Sequence, residues 1–195
     1  MRGNWRLMVN DNRNVFGIGL RSSRRAGGGL LLLDVHARTG RAHVGYLRTH
    51  LLRAHALLGP ALREMSLALV GDRRMAELHE RFMGVAGPTD VLTFELDHDA
   101  RGRVVAGEVV VCVPYAIRQA KRTGISVRNE LLLYALHGML HLCGFDDRTD
   151  RDFAVMHQRE DDILSRLGIG PVFAPARVNA EGPRNPKKGR RRTGR

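Results

Sequence analysis

Residues 126–147 read SVRNELLLYALHGMLHLCGFDD. Ser126 suits a helix N-cap, Glu130 falls in the early turns, and Gly144 supplies a stop after about Leu142. Within this helix His137 and His141 are i and i+4, so both imidazoles project from one face. Gly144 can turn the chain with φ above zero and bring Asp147 back toward the pair. The spacing H-x3-H-x5-D resembles that of a helix supplying two metal ligands and the following turn a third; the alternative is a pair of core or surface histidines that hold no metal.

Outward from this helix, the chain alternates compact elements. Upstream, residues 114–123 form a short helix opened by Pro114. VLTFEL (91–96) and VVAGEVVVCV (104–113) read as a hairpin joined by the polar HDARGR. Earlier still come a buried strand at 30–36, a helix at 43–58 ended by Gly59-Pro60, and a strand at 64–71. A helix from Arg73 to about Met83 follows, with Asp72 as its N-cap. Downstream, Asp150 to Leu167 is a last helix. This order predicts an α+β fold: a small mixed four-stranded sheet packed with about five helices, with the metal site in a cleft toward the C-terminal half.

The 195 residues fit one domain. Two cysteines, Cys112 and Cys143, make no disulfide framework, so a reducing cytoplasm is the expected setting. The basic N-terminus is followed by no apolar run long enough for a signal peptide, and LLLLDV is too short to span a bilayer, so no membrane role is expected. The net charge of +12 is carried by the ends: +5 in residues 1–29, +7 in 175–195, none in 30–174. Residues 1–29 are read as a basic extension, 30–174 as the working domain, and 175–195 as a disordered basic tail. For the tail two readings stand side by side, attraction to RNA or DNA phosphates and a solvated segment without a partner.

Three protein ligands leave a coordination position open, as in catalytic rather than structural zinc sites, and the same donors suit iron. Asp146 is the candidate to orient a ligand from behind. Cys143 points away from the histidine face and is read as a small buried residue. Zinc peptidases of the HExxH kind carry Glu after the first His; here Gly138 stands there, which turns the reading away from peptidases. Metal-assisted hydrolysis remains open. Thr89 and Asp90 are read first as turn-capping residues. His98 and His157 are read as solvated.

GPTDVLTFEL (87–96), GEVVVCV (107–113) and HGMLHLCGFDD (137–147), in this order, resemble the signature segments of the YbeY family of endoribonucleases. The resemblance covers roughly residues 30–168. It implies a single-strand-specific, zinc-dependent endoribonuclease of ribosomal RNA maturation, at the 3′ end of 16S rRNA, and of ribosome quality control. It also implies one zinc ion per chain on His137, His141 and Asp147. Its partners would be ribosomal RNA, the small ribosomal subunit and other assembly factors. Glu108 stands for the family's usual Asp, and two further departures bear on the chemistry. Asp147 stands where the family commonly has His, which adds a negative charge and makes the ion less electrophilic. The family's phosphate-contacting Arg falls on Met83, and Arg81, two residues away, is the candidate substitute. The alternative implied by that departure is a ribosome-associated assembly factor with a mainly structural metal.

Overall fold

A computed structural model describes residues 30–172 in full and, of the residues before them, the backbone of 6–8. The remainder of the basic extension and the tail 175–195 lie outside the described residues. The elements in chain order are β1 (Arg6–Met8), β2 (Leu32–Ala37), α1 (Val44–Leu58), β3 (Glu64–Val70), α2 (Asp72–Met83), β4 (Val91–His98), β5 (Val104–Cys112), α3 (Val113–Thr123), α4 (Val127–Leu142) and α5 (Asp150–Arg166). A single 3-10 turn, Arg41–His43, leads into α1.

The four expected strands and five expected helices are all present, and the fold is α+β with a mixed sheet. The sheet order is β1-β4-β5-β3-β2. β2, β3 and β5 run parallel, β4 pairs antiparallel with β5, and β1 pairs parallel with β4. β1 is an addition to the expected sheet: its three residues, RLM, are too few to show a period of two. β4 runs two residues past the expected end, through an irregularity between Glu95 and His98.

β5 lies at the centre and is covered on both sides, apolar along its length apart from the buried Glu108. Val109 and Val111 face a core shared with α1 and α4, whereas Val110 and Cys112 face Met75 and Leu78 of α2. α2 begins one residue earlier than expected, with Gly71 as N-cap. Asp72 therefore sits inside the first turn, where its carboxylate takes two hydrogen bonds from Arg118 of α3 at 2.8 and 2.9 Å.

α4 is buried almost all round, from Glu130 to Leu142 with only His137 less covered. It lies against β5 at two points where one partner is glycine. A Cβ on Gly138 would stand 2.6 Å from Val109 Cγ1, and one on Gly107 would stand 2.4 Å from Leu142 Cδ2. These residues are glycine because the helix touches the sheet there. The contact fixes the depth and rotation of α4, and hence the two histidines on it.

Candidate metal centre and cleft

The Nε2 atoms of His137 and His141 are 3.1 Å apart. Each ring is fixed from behind through Nδ1. His141 Nδ1 donates to the Phe145 carbonyl at 3.1 Å, and His137 Nδ1 donates to Glu160 Oε1 at 2.8 Å. A carbonyl and a carboxylate only accept, so each neutral ring keeps its proton on Nδ1 and turns a bare Nε2 lone pair toward the other. Gly144, at φ +92°, reverses the chain after α4. The turn brings the Asp147 carboxylate to 3.8 Å from His137 Nε2 and 3.9 Å from His141 Nε2.

This donor set fits a metal ion. Two facing lone pairs repel at 3.1 Å unless a proton or a cation lies between them. Tetrahedral bonds of about 2.0–2.1 Å place ligand atoms roughly 3.3 Å apart. The two nitrogens stand near that separation at 3.1 Å, and the carboxylate lies somewhat farther off, Oδ2 at 3.8 Å from His137 and Oδ1 at 3.9 Å from His141. Anchoring Nδ1 on a carbonyl or carboxylate is also how metal-ligating histidines are commonly oriented.

The electrostatics agree. Burial, aided by repulsion from His137, pushes His141 down to about 4, so that ring is neutral near pH 7. Burial acts downward on His137 too, but its hydrogen bond and charge attraction to Glu160 outweigh it and leave its pKa raised. Burial raises the Asp147 carboxyl. It acts upward on Glu160 as well, yet the two imidazoles bonded to that carboxylate hold it lowered on balance. A cation on the Nε2 atoms would compete with the proton that the raised pKa of His137 favours.

Glu160 and His157 were not legible as site residues. Glu160 is wholly buried and bridges two imidazoles, its second oxygen accepting from His157 Nδ1. His157, expected to be solvated, is instead 13% exposed and packs edge-on against Phe153, so the solvated reading is corrected. The sequence did carry one signal. On α5 the buried stripe is Met156, Glu160, Ile163 and Leu164, and an acid in a core position needs a partner.

The other candidates are placed as follows. Asp146 accepts the backbone N–H of Asp147 at 2.8 Å and pairs with Arg148, so it steadies the turn that carries Asp147. Arg81 is exposed on α2, its guanidinium 5.2 Å from the centre of the Phe82 ring, and it is not among the residues lining the cleft described below. Phe82 packs with Phe94 on the α2 side of the sheet, the face away from α4. Cys143 belongs to neither potential ligand group, and burial pushes its thiol up to about 12. Asp90 caps its own turn through Val91 N–H and the Thr89 hydroxyl, in keeping with the structural reading of both residues. His98, also expected to be solvated, is bonded to the buried Glu95 at 3.0 Å.

His137 and Asp147 open onto a cleft of about 670 Å³ walled by α3, α4 and α5. His141 lies behind them, 1% exposed.

The family model described as Endoribonuclease YbeY matches residues 42–168. The chain belongs to the endoribonuclease YbeY family. The resemblance carried by the three motifs is thereby borne out. Among similar proteins are the endoribonucleases YbeY of Moorella thermoacetica, 39% identical over 115 residues covering 54% of this chain and 74% of that one, and of Thermobifida fusca, 39% identical over 121 residues covering 58% and 75%. That of Micrococcus luteus is 40% identical over 118 residues, covering 57% and 75%. A solution structure of a Thermotoga maritima protein aligns with a TM-score of 0.50 at 24% identity, covering 70% of this chain and 92% of that one, a likeness of fold. The YbeY-matching span takes in α1 through α5, and with them every residue of the candidate metal cluster. Among the described residues no helix is long and apolar enough to cross a membrane.

Proposed function

We propose that this YbeY chain is a zinc-dependent endoribonuclease that cuts single-stranded RNA, with ribosomal RNA precursors, including the 3′ end of 16S rRNA, as substrates. One observation carries the reading. Two imidazole Nε2 atoms and a carboxylate converge at the wall of an open cleft, with both Nδ1 atoms already committed elsewhere. His137, His141 and Asp147 would hold one ion. When bound, it supplies Lewis acidity toward a phosphate oxygen or toward water. Zinc suits three such ligands with an open position, and the names of the curated relatives supply the reaction class.

The protein's own residues do the positioning. Glu160 and the Phe145 carbonyl fix the two rings. Asp146 fixes the turn of Asp147. Gly138 seats the helix against the sheet. Ribosome quality control, contact with the small subunit and assembly factors, and a cytoplasmic setting follow from the same reading. Val172 lines the cleft, and the sequence from residue 175 onward carries a net charge of +7. Charge of that sign attracts RNA phosphates.

A second reading is favoured by a specific observation: Met83 occupies the expected Arg position, and Arg81 stacks on Phe82 outside the cleft lining. On that reading the protein is an assembly factor with a mainly structural metal. Purified protein incubated with single-stranded and with structured RNA, with and without chelator, separates the two. Chelator-sensitive cleavage of the single strand supports the nuclease. Metal retained without cleavage of either RNA supports the factor.

A further inference from the structure

We propose that the cleft contains a nucleotide subsite in which Phe153 stacks on an unpaired base and Arg122 binds the phosphate of that nucleotide. The proposal rests on the endoribonuclease reading and deepens it, by naming the residues that would recognise a single strand.

The charge around the cleft points to Arg122. Asp90, Glu130, Asp147 and Glu160 line the cleft, and Arg122 is the only Arg or Lys among the described residues that do so. These carboxylates are committed elsewhere: Asp90 to its own turn, Glu130 to the Thr123 hydroxyl at 2.9 Å, and Glu160 to two imidazoles. Asp147 faces the histidine pair. The Arg122 guanidinium has no ion pair or hydrogen bond among the described residues. Its neighbours differ, since Arg118 is held by Asp72 and Arg128 lies over Tyr46. A guanidinium without a partner among the described residues, on the wall of this cleft, is suited to an anion that arrives from outside, and its planar fork matches phosphate.

Phe153 supplies the second half. It stands in the first turn of α5, 38% exposed, and lines the same cleft. The core stripe of α5 does not include it. Its ring meets the His157 ring edge to face, with centroids 4.0 Å apart and planes at 84°. His157 is in turn fixed by Glu160, so the aromatic pair is anchored to the carboxylate that holds His137. An exposed aromatic and a cation lining one cleft are the combination that binds single strands, because every base has a face to stack. A base within a duplex already has both faces covered and cannot use it. A cleft of about 670 Å³ falls within the range of roughly 300–1,000 Å³ usual for small-ligand sites, so it takes a nucleotide rather than a helix.

The test uses the full chain loaded with zinc and a short fluorescent 2′-O-methyl RNA, which resists cleavage, as the binding probe. Anisotropy titrations over a series of salt concentrations compare wild type with Arg122→Ala, Arg122→Lys, Phe153→Ala, Phe153→Leu and Phe153→Trp. Arg122→Ala should weaken single-strand binding and lower the slope of log K against log salt by about 0.7, and Arg122→Lys should keep the slope. Phe153→Ala should weaken binding about fivefold or more with the slope unchanged, Phe153→Trp should restore it, and Phe153→Leu should not. Duplex RNA of the same sequence should respond little to the Phe153 series. Zinc content is measured in every variant, and it should stay at the wild-type level. A wild type that cleaves unmodified single strands, with variants of unchanged affinity and slope, would overturn the subsite and leave the nuclease reading standing. A wild type that neither binds nor cleaves single strands would overturn both.

Discussion

Replacing Glu160 by Gln tests whether the buried carboxylate is what prepares His137 to take a metal. Glu160 is wholly buried and accepts one hydrogen bond from His137 Nδ1 and one from His157 Nδ1. Glutamine has the same shape but offers one acceptor and one donor. It can serve only one ring as the carboxylate does. If its amide N–H faces His137, that ring must shift its proton to Nε2, the atom that would ligate the metal. If its carbonyl faces His137, the His157 ring is left against a donor, and the carboxylate charge is lost in either case. Removing such a partner typically lowers metal affinity about 10- to 100-fold. At about 1.4 kcal/mol per tenfold, the expected loss is roughly 1.4–2.8 kcal/mol. Competition with a chromophoric chelator at fixed pH measures it. The double variant Glu160→Gln/His157→Phe removes the competing ring, freeing the amide oxygen for His137, and should recover part of the loss. A Glu160→Gln protein that binds zinc within about twofold of wild type, with the double variant no different, would refute this account of Glu160.

Three further outcomes are expected. Gly138→Ala should forgo the roughly 1 kcal/mol that alanine normally adds to a helix interior and instead cost up to about 2 kcal/mol, because its Cβ would meet two methyls of Val109 at 2.6 and 2.9 Å; urea unfolding reads it, and a stabilised variant would contradict the packing. Zinc affinity should be full above the raised pKa of His137 and fall about tenfold per unit as pH drops through it, since that ring must lose its proton to ligate, whereas His141, already neutral down to about 4, adds no loss until far lower pH; chelator competition across pH 5–8 tests the sign. Deleting 175–195 should weaken RNA binding and flatten its salt dependence while zinc content is unchanged, and an unaltered salt slope would contradict a role for the tail.

The histidine pair was legible because its geometry is local. A helix period and a glycine stop suffice to place His137, His141 and Asp147 near one another, and Gly144 does adopt the positive φ that the turn needs. The strands were legible for a similar reason, since runs such as VVAGEVVVCV carry their burial in their composition. What stayed hidden depends on contacts between distant segments. Glu160 lies 23 residues beyond His137, and nothing in the spacing says that α5 folds back to lay a carboxylate behind the ring. Gly138 read as a missing general base; its cause is steric, because Val109 and Thr93 occupy the space a side chain would need. Asp72 read as a cap by its chemistry, but Arg118 claims its carboxylate from another helix.

The charge of the centre bears on how RNA would be held. A divalent ion on two neutral imidazoles and one carboxylate leaves the coordinated group at about +1, where three histidines would leave +2. Glu160, one hydrogen bond behind His137, lowers the local potential further. A phosphodiester approaching this cleft is therefore attracted less strongly by the metal group than it would be in a three-histidine site, while Asp90 and Glu130 stand on the same walls. The described part of the protein outside the cleft does little to compensate, since residues 30–174 carry no net charge. Affinity must come from cations outside the metal group, of which Arg122 is already on the cleft wall and the basic tail supplies others by its charge. Metal binding and RNA binding should consequently come apart on mutation, with Glu160 governing the first and Arg122 and the tail the second.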